Sequence, residues 1–286
     1  MHICVNIAHT YMEESIVTDS GDAETRANAQ SICDTTTPTA SQAPIASESY
    51  ALFIDLETSG LPFNNSDPYN TSMYDNARVL QVAAMLCDSA LEPIEMMSPI
   101  VRVSFAITNH DIHGITNAVS RRKGIAFTVV ASDFHKLLVK ATHIYAHNAM
   151  FDVNVMKSEL YRNGLQSIID EMNTKTVVCT MHGTRDIVRA KTARGRLKVP
   201  KLAELYRFAT DKELEHAHDA KYDVLNLHEA MRCLCTRGLW IVDERASDRR
   251  AMTSTDERSE RTSEDATEHC ASVSAHHPSA PSSHGS

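Results

Sequence analysis

Cysteine is sparse and unordered in this chain: seven residues, at positions 3, 32, 87, 179, 233, 235 and 270. The odd total argues against the disulfide framework of a secreted protein, and Cys233 and Cys235 have no second pair with which to close a zinc site. A reducing, intracellular compartment is therefore expected. No apolar run approaches the length of a membrane span, and residues 1–15 lack the basic start and long apolar stretch of a leader, so a soluble chain that does not enter a membrane is expected. No internal repeat is evident.

Charge is unevenly spread. The formal net charge is -9, yet residues 50–242 carry 22 Lys and Arg against 21 Asp and Glu. The acidity sits in the flanks, with 16 acids and 6 bases, so it says nothing against a polyanion meeting the middle of the chain. The flanks are also rich in Ser, Thr, Ala and His without apolar periodicity. Residues 1–48 and 243–286 are expected to be disordered, around one domain over 49–242.

Within that domain strand-like and helix-like periods alternate, as in an α/β fold. "YALFIDLE" predicts a central strand, "ARVLQVAAMLCD" a second and "PIVRVSF" a third, in an antiparallel meander. "SDFHKLLVKA" predicts a helix, "THIYAHNA" a short strand, and "FDVNVMKSELYRNG" a helix stopped by Gly164. After a last strand at "TVVCTM" come helices at "VPKLAELYRFA" and "HDAKYDVLNLHEAMRCLCTRG", the latter with Val224, Leu227, Met231 and Leu234 on one stripe.

The first strand contains the stretch that calls for explanation. In "FIDLETSGLP" Asp55 and Glu57 lie two apart, so they project from the same face, while Leu52, Ile54 and Leu56 pack the other. Paired carboxylates at the edge of a core repel and lose hydration, a cost that a bound cation removes. A solvated strand end would carry the same pair without meaning. Two more acids stand at helix starts: Asp152 in "AHNAMFD", where a strand gives way to a helix, and Asp223 in "HDAKYD", five residues after His218. If both helix starts face the end of the first strand, four carboxylates converge. Such a set can hold two divalent cations about 3.5–4 Å apart, suited to phosphodiester cleavage. A histidine, with an ordinary pKa of about 6.5, can take a proton from the attacking water at neutral pH, and His218 is the candidate. Alone, each has a plainer reading: His218 as a helix-cap or surface histidine, Asp152 as a first-turn acid favoured by the helix dipole, and Asp223 as a solvated helix acid.

The three segments "FIDLETSGLP", "AHNAMFD" and "HDAKYD", in that order, resemble the three motifs of the DEDDh group, the proofreading-type 3′-to-5′ exonucleases similar to the epsilon subunit of bacterial DNA polymerase III. "DIHGIT", "CTM" and "VPKLAELY" sit where that family has similar strings, so the likeness spans roughly residues 50–240. It implies an RNase H-like α/β fold with a central mixed five-stranded sheet flanked by helices. It implies that Asp55, Glu57, Asp152 and Asp223 ligate two Mg²⁺ ions, with Mn²⁺ able to substitute, and that His218 is the base. Thr58, Leu61, Asn148 and Phe151 would hold the terminal nucleotide, Leu61 as an apolar wedge against the last base. Leu61 could equally be a turn-packing residue and Phe151 part of the core. The expected reaction is release of nucleoside 5′-monophosphates from single-stranded 3′ ends, of DNA in preference to RNA, in proofreading or repair, with a DNA polymerase or replication partner left open. Two alternatives stand: an RNA exonuclease, and an interaction module serving a polymerase complex.

One further stretch is distinctive. From 185 to 201, "RDIVRAKTARGRLKVPK" carries seven basic residues and one acid, which reads as a flexible loop able to grip phosphates or as a merely solvated face. Few aromatics interleave with it, so an extended stacking platform for single strands is not supported.

Overall fold

The structure, a computed structural model, describes residues 49–242. The flanks expected to be disordered, 1–48 and 243–286, lie outside the described residues. The strands are β1 (Ala51–Thr58), β2 (Val79–Cys87), β3 (Pro93–Met97), β4 (His143–Ala146) and β5 (Thr176–Cys179). The helices are α1 (His110–His113), α2 (Asn117–Lys123), α3 (Phe127–Leu138), α4 (Ala149–Arg162), α5 (Gln166–Asn173), α6 (Thr180–Gly183), α7 (Arg185–Val188), α8 (Leu202–Thr210) and α9 (Ala220–Thr236).

The strands form one sheet in the order β3-β2-β1-β4-β5, antiparallel from β3 to β1 and parallel from β1 to β5. The mixed five-stranded sheet expected from the sequence is therefore present. The alternation in β1 divides the core as its pattern requires. Leu52, Ile54 and Leu56 pack with residues of α3 and α4, while Ala51 and Phe53 pack on the opposite side with α8 and α9. Each such Leu or Ile taken fully from water stabilises the fold by about 1.5–3 kcal/mol. Phe53 also stacks on Tyr145 of β4, ring centroids 5.0 Å apart, which ties the two parallel strands on that face.

The third strand lies elsewhere than predicted. It is Pro93–Met97, and "PIVRVSF" meets β2 at an isolated bridge between Ile100 and Gln81, while Val101 bridges Ile125 outside the sheet. Pro99 has no N–H to donate, so the ladder along β2 is interrupted there. Val101 bonds Leu80 O at 2.8 Å before Arg102 turns to Ile125 O. The helix predicted from Ser132 begins at Phe127, its entry unmarked by a side-chain cap. Residues 185–201 are not a bare loop: α7 is followed by a small hairpin closed by the Lys191 and Leu197 bridge.

Two backbone details bear on where the acids of β1 and α4 meet. β4 pairs with β1 only as far as Phe53 and Tyr145, which leaves the later N–H groups on that edge of β1 without a strand partner. Asn148, next but one after β4, adopts a left-handed backbone (φ 72°), a conformation Asn tolerates, and thereby turns the chain into α4.

Candidate active site

The end of β1 collects the acids. Asp55 sits opposite Ala83 and Glu57 opposite Gln81 on β2, and both point to the side on which α9 packs. Asp223, in the first turn of α9, completes a trio whose ligand oxygens all lie within 4.8 Å of one another. Asp152, in the first turn of α4, approaches from the other edge. Its Oδ1 accepts the Leu56 N–H at 3.2 Å, the bond that β4 is too short to supply. The structure thus brings the four predicted carboxylates to one strand end.

Their electrostatics are those of an uncompensated anionic cluster. Burial pushes the Asp55 carboxyl well above the usual range, reinforced by Asp152, Asp223, Glu57 and Asp219. Glu57 is pushed up to about 8 by burial, then by Asp223, Asp219 and Asp152. Asp152 is raised by burial despite the backbone N–H groups, its own and that of Leu56, that favour its charged form. Asp223 rises to about 6 by burial, restrained by the His218 N–H and the neighbouring His218 charge. A donor set made only of carboxylate oxygens fits a hard divalent cation, whose charge would favour the ionised form of the cluster.

His218 lies at the rim. Its backbone is left-handed (φ 67°), a sparsely populated conformation costing about 1–3 kcal/mol, and this directs its N–H to Asp223 Oδ2 at 3.2 Å. The imidazole is exposed and makes no hydrogen bond to another described residue. Thr58, at the last position of β1, donates its hydroxyl to Gly60 O at 2.8 Å, which fixes the turn that presents Leu61, 58% exposed. Leu61 borders a groove of about 620 Å³ shared with Asn76, Arg78, Phe105 and Thr108; none of the four acids lines it. Asn148 is exposed, and Phe151 is half-buried against the core, so Phe151 has at least its plainer role.

Three residues went unremarked in the sequence. Asp219 caps α9 by accepting the Lys221 N–H at 3.0 Å and takes a second bond from Gln81 Nε2 at 3.1 Å. Gln81 in turn bonds Ser98 Oγ at 2.9 Å, so the start of α9 is fastened to β2 beside Glu57. An Asp just before a helical pattern is an N-cap signal, and Gln81 interrupts the apolar run of β2; both clues were legible. His113 accepts the Ile115 N–H on Nδ1 at 3.1 Å, and its buried Nε2 has no partner among the described residues.

Comparison with known proteins bears on the family and the fold. The family model RNase_T, described as exonuclease, matches residues 52–231. No curated protein matches by sequence. Among solved structures the chain is similar to E. coli exonuclease I in complex with a dT13 oligonucleotide, with a TM-score of 0.54 and 24% identity over 66% of this chain and 41% of that one. The zinc ion bound form of the E. coli exonuclease I–ssDNA complex gives a TM-score of 0.52 and 22% identity over the same shares. The chain therefore spans less than half the length of these exonuclease I chains, and at such identity the likeness concerns the fold, which is RNase H-like as expected. The family match covers more than half of the sequence and contains Asp55, Glu57, Asp152, His218 and Asp223, and by it the chain belongs to the exonuclease family.

Proposed function

We propose that the protein removes nucleotides from single-stranded 3′ ends, of DNA in preference to RNA, releasing nucleoside 5′-monophosphates. The observation that carries this is the convergence of Asp55, Glu57 and Asp223 within 4.8 Å at the end of β1, with Asp152 behind them on the Leu56 N–H. The four carboxylates would hold two Mg²⁺ or Mn²⁺ ions. Such a pair, when bound, activates the attacking water and stabilises the departing 3′ oxygen.

The chain's own residues do the rest. The exposed imidazole of His218 takes the proton of the attacking water. Thr58 and Leu61 receive the terminal nucleotide, Leu61 offering an apolar surface to the last base, with Asn148 available to its sugar or phosphate and Phe151 backing the pocket. Preference for DNA is supported by the oligonucleotides bound to the exonuclease I structures, dT13 and dA16. A proofreading or repair role beside a polymerase is supported by the sequence resemblance to the epsilon-type exonucleases.

The test is a time course on matched 5′-labelled single-stranded DNA and RNA with Mg²⁺ or EDTA. Metal-dependent shortening from the 3′ end, faster on DNA by about tenfold or more, is the expected result, tenfold being about 1.4 kcal/mol of transition-state discrimination. Faster shortening of RNA reverses the substrate preference, and no shortening of either contradicts the reading.

A further inference from the structure

The basic stretch between α6 and α8 contributes neither an acid nor the histidine of the candidate site. Arg185, Arg189, Lys191, Arg194 and Arg196 are exposed and form no ion pair with a described residue. Of the remaining cations in the stretch, Lys198 is paired with Glu204. Five positive charges within 12 residues, against the single acid Asp186, stand out in a domain whose charges balance as a whole.

The surface has a defined shape. Thr192 N bonds Arg196 O at 2.8 Å, Gly195 N bonds Thr192 O at 2.8 Å, and Lys198 N bonds Ala190 O at 2.9 Å. Gly195 supplies the left-handed turn (φ +80°), and a side chain there would meet nothing within 4 Å, so Arg194 is presented at an open tip. In the paired register Lys191 lies on one face of the hairpin and Arg196 on the other.

The base of the hairpin is fixed to the catalytic framework. His147 Nε2 donates to Pro200 O at 3.0 Å, and its Nδ1 lies 3.2 Å from Thr180 Oγ1, whose hydroxyl reaches Ala146 O at 3.1 Å. His147 immediately precedes Asn148, the residue that starts α4 and so places Asp152. The cations are consequently held at a set offset from the carboxylates.

We propose that this hairpin grips the phosphates of the substrate strand upstream of its 3′ end, so that the enzyme favours polynucleotides over short oligonucleotides by length. The strand leading away from the site carries one negative charge per nucleotide, and an array of Arg and Lys without aromatics contacts backbone and not bases. Recognition is then indifferent to sequence and weakens steeply with salt. The inference rests on the proposed exonuclease activity, and binding and turnover separate the two.

The variant Lys191→Ala/Arg194→Ala/Arg196→Ala, all at exposed positions, is compared with wild type on a dT 30-mer and a dT dinucleotide. The ratio of kcat/KM for the 30-mer to that for the dinucleotide is expected to fall about tenfold or more. In parallel, anisotropy of labelled dT 30-mer in Ca²⁺ is expected to show a similar loss of affinity and a log Kd against log salt slope flatter by about two, since each single-strand phosphate contact contributes about 0.7. An unchanged affinity and salt slope would overturn the proposal. Absence of turnover by the wild type would sink the exonuclease reading alone, because the anisotropy still decides whether the hairpin binds the strand.

Discussion

Asp152→Asn is expected to lower kcat on single-stranded DNA by about 10³-fold or more, and in EDTA at pH 8 to raise the melting temperature. The first effect follows from removing one of four carboxylates whose role is to hold the counter-charge of the reaction; 10³-fold corresponds to about 4 kcal/mol of transition-state stabilisation. The second follows from burial. Asp152 is 3% exposed among three other acids, and its charged form is disfavoured there. Asparagine keeps an oxygen for the Leu56 N–H and drops the charge.

The sign of the pH dependence is fixed by the direction of these shifts. In the metal-free fold Glu57 retains its proton up to about 8, whereas in the unfolded chain it titrates near 4.5. Stability present at low pH is thus lost as the pH rises from about 4.5 through about 8. The substitution relieves part of that loss, at about 2–4 °C for each kcal/mol recovered in a domain of this size. Calorimetric melting of the two proteins, beside single-turnover rates, measures both effects. Full activity in the variant would remove Asp152 from the site.

His218→Ala is expected to lower kcat by about 10²- to 10⁴-fold, the usual contribution of a general base, while the affinity for DNA changes little. The hydrogen bond to Asp223 comes from the main chain and does not need the imidazole. It does need the left-handed backbone at this position (φ 67°), which alanine adopts less readily than asparagine. His218→Asn therefore serves as the second variant: it tolerates the same backbone, offers no base, and should lose the same activity. A pH–rate profile of unchanged shape in both variants would assign the proton transfer elsewhere.

The central strand, its division of the core and the four acids were legible because each rests on a short-range rule. Alternation in "FIDLET" sorts Leu52, Ile54 and Leu56 from Phe53, Asp55 and Glu57 whatever surrounds them. Helix-start signals likewise place Asp152 in a first turn and Asp223 beside a helix start, while their joint role with Asp55 and Glu57 is what the family resemblance implies. What sequence periodicity does not carry is the partner of each backbone group. Nothing in "PIVRVSF" tells that Pro99 breaks the ladder and that Pro93–Met97 takes the edge of the sheet instead. Nor does it tell that β4 stops short, leaving the Leu56 N–H for Asp152. The link from Gln81 to Asp219 joins positions far apart in the chain and exists only once β2 and α9 have packed. The hairpin within 185–201 leaves no strand signal in the sequence because its pairing is a single bridge, too short for periodicity.

The most direct measurement is calorimetric titration of Mn²⁺ into EDTA-stripped protein at pH 8 and at pH 6, with Asp55→Asn alongside. Metal must displace the protons that Glu57 holds up to about 8 and Asp223 up to about 6. Binding is thus expected at pH 8, weaker at pH 6 by about tenfold or more, and severely reduced in Asp55→Asn. Affinity that is the same in the variant as in the wild type, or no binding at either pH, would contradict the assignment of these carboxylates to metal.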